Sequence, residues 1–154
     1  MISFFPTPYP DELWYSVICR YHIHSGNPCV KHTLQQLYGE HYYNASLTLC
    51  GPVQHILAQL PEELLSAKQI ILEHTLYPYY ARFFSASRKR TAYGYVQSGD
   101  PRAVHRLGLY QSGFAHHTMR YCPVCFVEDI AQYGEPYWHR LHQLPDMQIC
   151  PKHH

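Results

Sequence analysis

Cys122-Pro123-Val124-Cys125 and Cys150-Pro151-Lys152-His153 are separated by 24 residues near the end of the chain. Four such ligands in CxxC and CxxH spacing are what a closed tetrahedral zinc site requires, because each two-residue turn aims both of its ligands at one point. With all four positions filled by protein there is no place for a bound water, so the metal would contribute folding energy and not catalysis. One structural Zn2+ is therefore expected on Cys122, Cys125, Cys150 and His153. A rival set joins Cys122 and Cys125 to His139 and His142 across 13 residues, near the spacing of a two-Cys, two-His finger. Its histidines stand closer together than such fingers prefer, and it would leave Cys150 and His153 without a role. His154 is a further substitute for His153. Cys19, Cys29 and Cys50 lack knuckle spacing and read as buried free thiols, in effect small hydrophobes.

The second chemical feature is a run of cations. Net charge is only +1, yet residues 1–85 carry four Lys/Arg against six Asp/Glu while residues 86–154 carry eight against five. Between residues 88 and 120 stand Arg88, Lys89, Arg90, Arg102, Arg106 and Arg120 against Asp100 alone. Such an excess attracts a phosphate backbone, and these six are the candidate contacts to double-stranded DNA. A solvated helical face would carry the same charges. Catalysis finds less support: 13 histidines and carboxylates such as Glu128, Asp129 and Glu135 form no clustered acidic set with open coordination, so the chain is read as no enzyme.

These residues must be positioned by a mainly helical chain. Asp11 can cap a helix with Trp14, Val17, Ile18 and Tyr21 at helical spacing, ended by Gly26. A second helix runs from Lys31 to Tyr38, with Gly39 as its stop. Pro52 opens a third, with Val53, Ile56, Leu57 and Leu60 on one side. Three short amphipathic helices resemble a helix-turn-helix bundle, although the link from Tyr38 to Pro52 is longer than the tight motif has, and three helices also pack simply to make a core. Pro61, with Glu62 and Glu63 behind it, starts a helix continuing toward His74. Pro78 interrupts an aromatic stretch, Tyr77, Tyr79, Tyr80, Phe83 and Phe84, expected to pack between two halves. Residues 85–90 read as a boundary between an amino-terminal helical domain, 1–85, and a second domain, 86–154, holding a basic helical segment and a small zinc-ribbon or zinc-finger module. Asp100 and Pro101 begin another helix, and 126–133 a helix ended by Gly134. Residues 136–144 read as an extended aromatic segment. Ser3 to Tyr9 reads as an exposed strand.

The start of the chain lacks a basic leader, its prolines break any apolar run, and no apolar stretch is long enough to span a membrane. A cytoplasmic, reducing setting is expected, with no membrane partner.

Five blocks in order carry a resemblance: Phe5-Pro6 with Pro8-Tyr9-Pro10-Asp11-Glu12-Leu13 and Tyr15-Ser16; Glu73-His74-Thr75-Leu76-Tyr77-Pro78; Tyr121-Cys122-Pro123-Val124-Cys125; Tyr133-Gly134-Glu135-Pro136-Tyr137-Trp138-His139-Arg140; and Leu144-Pro145 with Cys150-Pro151-Lys152-His153. Together they resemble the TniQ/TnsD family of transposon target-selection proteins over nearly the whole chain. The resemblance implies a DNA-bound adaptor that marks an insertion site and recruits a TnsC-like AAA+ ATPase regulator, and does not itself cut DNA. Some family members read an attachment site directly, whereas others ride on a guide-RNA surveillance complex. The resemblance carries the zinc ligands onto Cys122, Cys125, Cys150 and His153, and a helix-turn-helix onto the bundle from Asp11 to Leu60. Family chains continue well past the second knuckle, so a fragment of a longer protein is expected, one that need not hold the sequence-reading end. On that account the alternative function is a protein-interaction adaptor that docks on the ATPase or surveillance complex without reading DNA itself.

Overall fold

The computed structural model describes residues 2, 4–40, 47–61, 63–108 and 118–154. Among them the chain is helical, with no strand and one isolated antiparallel bridge, Glu12 to His139. The helices are α1 (Trp14–Ser25), α2 (Val30–Tyr38), α3 (Val53–Leu57), α4 (Ala67–Glu73), α5 (Tyr77–Ala81), α6 (Ala86–Ser98), α7 (Arg102–Arg106) and α8 (Pro123–Tyr133), with a 3-10 turn at Leu141–Gln143. Among the described residues no helix is long and apolar enough to cross a membrane.

The helix starts show which local signals prevail. α1 has Leu13 at its N-cap and no side-chain cap, so the expected capping by Asp11 does not occur. Orphan amide donors there find distant carbonyls instead: Leu13 N reaches Trp138 O at 2.8 Å and Trp14 N reaches His74 O at 2.7 Å, which frees the Asp11 carboxylate for other work. α4 begins at Ala67, not at Pro61, because Ser66 and Gln69 form a reciprocal capping box, each side chain accepting from the other's backbone amide. Pro78 opens α5 from its first turn. Gly26, Gly99 and Gly134 end α1, α6 and α8 in the left-handed conformation. At Gly99 the need is also spatial: a Cβ would lie 2.5 Å from Pro52 N, so a side chain there would push α6 off the start of α3.

One buried cluster runs from Ile2 and Phe5 through Trp14, Val17, Leu37, Val53, Ile56, Ile70 and Ile71 to Ala92, Val96, Ala103 and Leu107. Helices α6 and α7, which the sequence places beyond residue 85, thus pack in the same apolar cluster as α1 to α5, and Ser85 caps α6 by accepting from Arg88 N. Residues 4–9 of the amino-terminal segment are neither strand nor wholly exposed. Phe5 is buried, with its ring centroid 5.8 Å from that of Trp14 and 5.5 Å from that of Tyr21. Trp14 in turn donates Nε1 to Tyr38 Oη at 2.9 Å, closing α1 on α2. Ser3 and Glu62 lie outside the described residues. Of the three cysteines expected inside, Cys50 is buried, Cys19 half-buried and Cys29 exposed.

Candidate metal centre

Both knuckles are helical turns in miniature. Cys122 is the N-cap of α8, Pro123 supplies its first turn without needing a donor, and Phe126 N returns to Cys122 O at 3.0 Å, which aims Cys122 and Cys125 to the same side. At the second knuckle His154 N returns to Cys150 O at 3.0 Å, placing Cys150 and His153 together in the same way.

The four ligand atoms lie within 4.8 Å of one another. His153 Nδ1 stands 3.4, 3.3 and 3.5 Å from the sulfurs of Cys122, Cys125 and Cys150, and Cys125 Sγ lies 3.7 Å from Cys150 Sγ. A tetrahedral zinc with normal bond lengths separates two sulfurs by about 3.8 Å and a sulfur from a nitrogen by about 3.6 Å. The cluster therefore has the size and donor set of a structural zinc site and could hold such an ion. Of the rival histidines, one is used elsewhere and one stands beside the cluster. His139 Nε2 pairs with Asp129 Oδ2 at 2.8 Å. His142 is buried, with Nε2 3.9 Å from Cys125 Sγ, beside the cluster.

The surroundings favour thiolates on one side and neutralise them on the other. The Cys125 backbone N–H holds the Cys122 thiol down to about 6, while burial pushes Cys125 up. Sulfur contacts, Cys122 first, raise His153. Glu128, one turn along α8 from Cys125, receives Lys152 Nζ at 2.6 Å and lies 3.1 Å from His153 Nε2. A carboxylate behind the far ring nitrogen is the usual means of leaving Nδ1 to the metal.

The metal module is docked on the amino terminus by groups that the sequence reading missed. Fully buried Glu12 accepts from Arg20 Nη1 at 2.9 Å, Ser16 Oγ at 2.8 Å and Tyr9 N at 2.8 Å. Arg20 also donates Nε to Glu135 Oε1 at 2.7 Å, and its guanidinium lies 3.7 Å from the centroid of the Tyr9 ring. Tyr9 stacks on Tyr133 at 4.3 Å. Asp11, with φ at +57°, accepts from Arg140 Nε at 3.1 Å and Leu141 N at 3.0 Å. Arg140 spends Nη1 on Leu72 O at 2.6 Å. The first and fourth sequence blocks are thus two sides of one joint. The available signal was Arg20 itself, a charge three residues after Val17 on the apolar side of α1.

The six basic candidates do not share one environment. Arg120 is half-buried and donates to Met147 O at 2.8 Å and to Leu144 O, bracing the loop before Cys150. Arg102 forks onto Asp100, with Nη2 to Oδ2 at 2.6 Å. Arg88 lies 3.7 Å from the centroid of the Phe84 ring and donates to Arg106 O at 3.2 Å. Lys89, Arg90 and Arg106 have exposed side chains.

The TniQ family model matches residues 3–154. Transposon Tn7 transposition protein TnsD of Escherichia coli is 36% identical over 152 residues, which is 97% of this chain and 30% of that protein. The chain thus spans under a third of that relative's length.

Proposed function

The chain belongs to the TniQ family, and on that premise we propose that it acts in target-site selection during DNA transposition, as a zinc-containing adaptor that sits on double-stranded DNA and recruits a AAA+ ATPase regulator. The observation that carries this reading is identity spread over nearly the whole chain, with both metal knuckles inside the matched span. In this account Zn2+ on Cys122, Cys125, Cys150 and His153 fixes α8, and the joint at Arg20 fixes α8 against the helical bundle. The bundle's helix-turn-helix-like start and exposed cations such as Lys89, Arg90 and Arg106 meet the phosphate backbone. The adaptor performs no bond-breaking step of its own.

A second reading has an observation in its favour. Val124, Phe126, Val127 and Ile130 of α8 are exposed, as is Tyr121 before it, and an apolar patch of this kind serves protein docking better than phosphate contact. In that reading the metal module docks on the ATPase or on a guide-RNA surveillance complex, which brings the DNA. Recruitment assays separate the two. Immobilised duplex should retain the ATPase regulator only when the zinc-loaded chain is present; retention of the regulator by the chain alone, with no duplex bound by either, selects the docking reading.

A further inference from the structure

Helices α4, α5 and α6 line a cleft of about 390 Å³. Its rim carries Lys68 from α4, Arg82 at the end of α5 and Lys89 from α6, while Leu72, Tyr77 and Tyr93 lie between them. All three cations are exposed, no carboxylate lines the cleft, and among the described residues none of the three forms an ion pair. The walls are braced: Tyr77 Oη donates to Lys89 O at 2.9 Å, and its ring meets Tyr93 edge-on at 5.8 Å. Like charges brought together without a counter-charge repel one another, and an anion between them removes that repulsion.

We propose that this cleft holds backbone phosphates of duplex DNA, with Lys68, Arg82 and Lys89 as its contacts. The inference rests on the DNA-bound reading above and moves its footprint. Of the six cations marked by the sequence, Arg102 is paired with Asp100, Arg120 spends its donors on the carbonyls of Leu144 and Met147, and Lys89 is the one that lines the cleft. Lys68 and Arg82 lie in the half of the chain that is acidic overall, so a count of charge along the sequence passes over them.

The test is fluorescence anisotropy of the zinc-loaded chain on random-sequence duplex across a salt series, comparing wild type with the Lys68→Gln, Arg82→Gln, Lys89→Gln triple variant and with Arg102→Gln. Each phosphate contact contributes about one unit to the log–log slope. The triple variant should flatten the slope by about two to three units and Arg102→Gln should leave it unchanged, with melting temperatures preserved because all four side chains are exposed. A triple variant with the wild-type slope overturns the cleft while leaving DNA binding standing. A wild type that binds no duplex overturns the DNA-bound reading, and the cleft with it. Full displacement of duplex by an equal concentration of a mononucleotide assigns the cleft to a free phosphate ligand and overturns the duplex assignment.

Discussion

Arg20 Nε donates to Glu135 Oε1 at 2.7 Å across 115 residues of sequence. Its Nη1 meanwhile lies 2.9 Å from Glu12 Oε2. A guanidinium suits this place because its planar fork serves two carboxylates at once, which a lysine ammonium does less well. The arrangement makes the metal module and the amino terminus parts of one body. Replacing Arg20 by Met leaves buried Glu12 without its cation and should cost about 3–5 kcal/mol in urea unfolding of the metal-loaded chain. Glu135→Gln, at the more exposed end, should cost about 1 kcal/mol. Wild-type stability in Arg20→Met would show that the joint contributes nothing.

Cys150→Ser should abolish stoichiometric zinc and loosen α8, because the ligands and the local fold are coupled. Trp138 sits at the joint, its backbone N–H donating to Ser16 Oγ at 3.1 Å, and reports the change by fluorescence. A Trp138→Phe background, which keeps Trp14, supplies the control. Full zinc content and an unchanged melting curve in Cys150→Ser would remove Cys150 from the ligand set.

With zinc bound, Glu128, 3.1 Å from His153 Nε2, would act on the metal through His153. Glu128→Ala should weaken zinc binding about 10- to 100-fold in competition with a chromophoric chelator. Glu128→Gln, which keeps an acceptor near Nε2, should recover most of that loss. Equal affinities for wild type and Glu128→Ala would confine the carboxylate to its surface pair with Lys152.

His74 gives the fold a pH dependence. Burial holds its pKa below the ordinary 6.5, while Nδ1 donates to Glu12 O at 2.7 Å. The unfolded chain takes up the proton first as pH falls, so the stability contributed above about pH 6.5 is lost progressively below it. Burial raises the Glu12 carboxyl, an effect of the opposite sign, so the comparison must be with a variant. His74→Asn retains a donor near the Nδ1 position and cannot titrate. Its melting temperature should fall less than that of wild type between pH 7 and pH 5.5; parallel curves would contradict the assignment.

What could be read from the sequence followed from locality. Knuckle spacing places Cys122 with Cys125 and Cys150 with His153, and a helical turn brings each pair together without help from the rest of the chain. Glycine stops such as Gly26 and Gly134 are equally local. Some of the miscast elements depend on partners far along the chain, others on a competing local signal. Asp11 has the chemistry of a cap, but Trp138 O and His74 O satisfy the backbone donors at the start of α1 and Asp11 turns to Arg140. Pro61 is outcompeted by Ser66 and Gln69. The six cations read as one group because spacing along a chain shows neither that Asp100 occupies Arg102 nor that carbonyls at Leu144 and Met147 occupy Arg120.

The most direct measurement of the central claim is binding of the zinc-loaded chain to random-sequence duplex, followed by anisotropy as salt is raised. A DNA-bound adaptor with a handful of phosphate contacts predicts saturable binding at low salt and a log–log slope of about minus three to minus five. No binding at low salt would contradict it, leaving the chain as a docking module that meets DNA only through its partners.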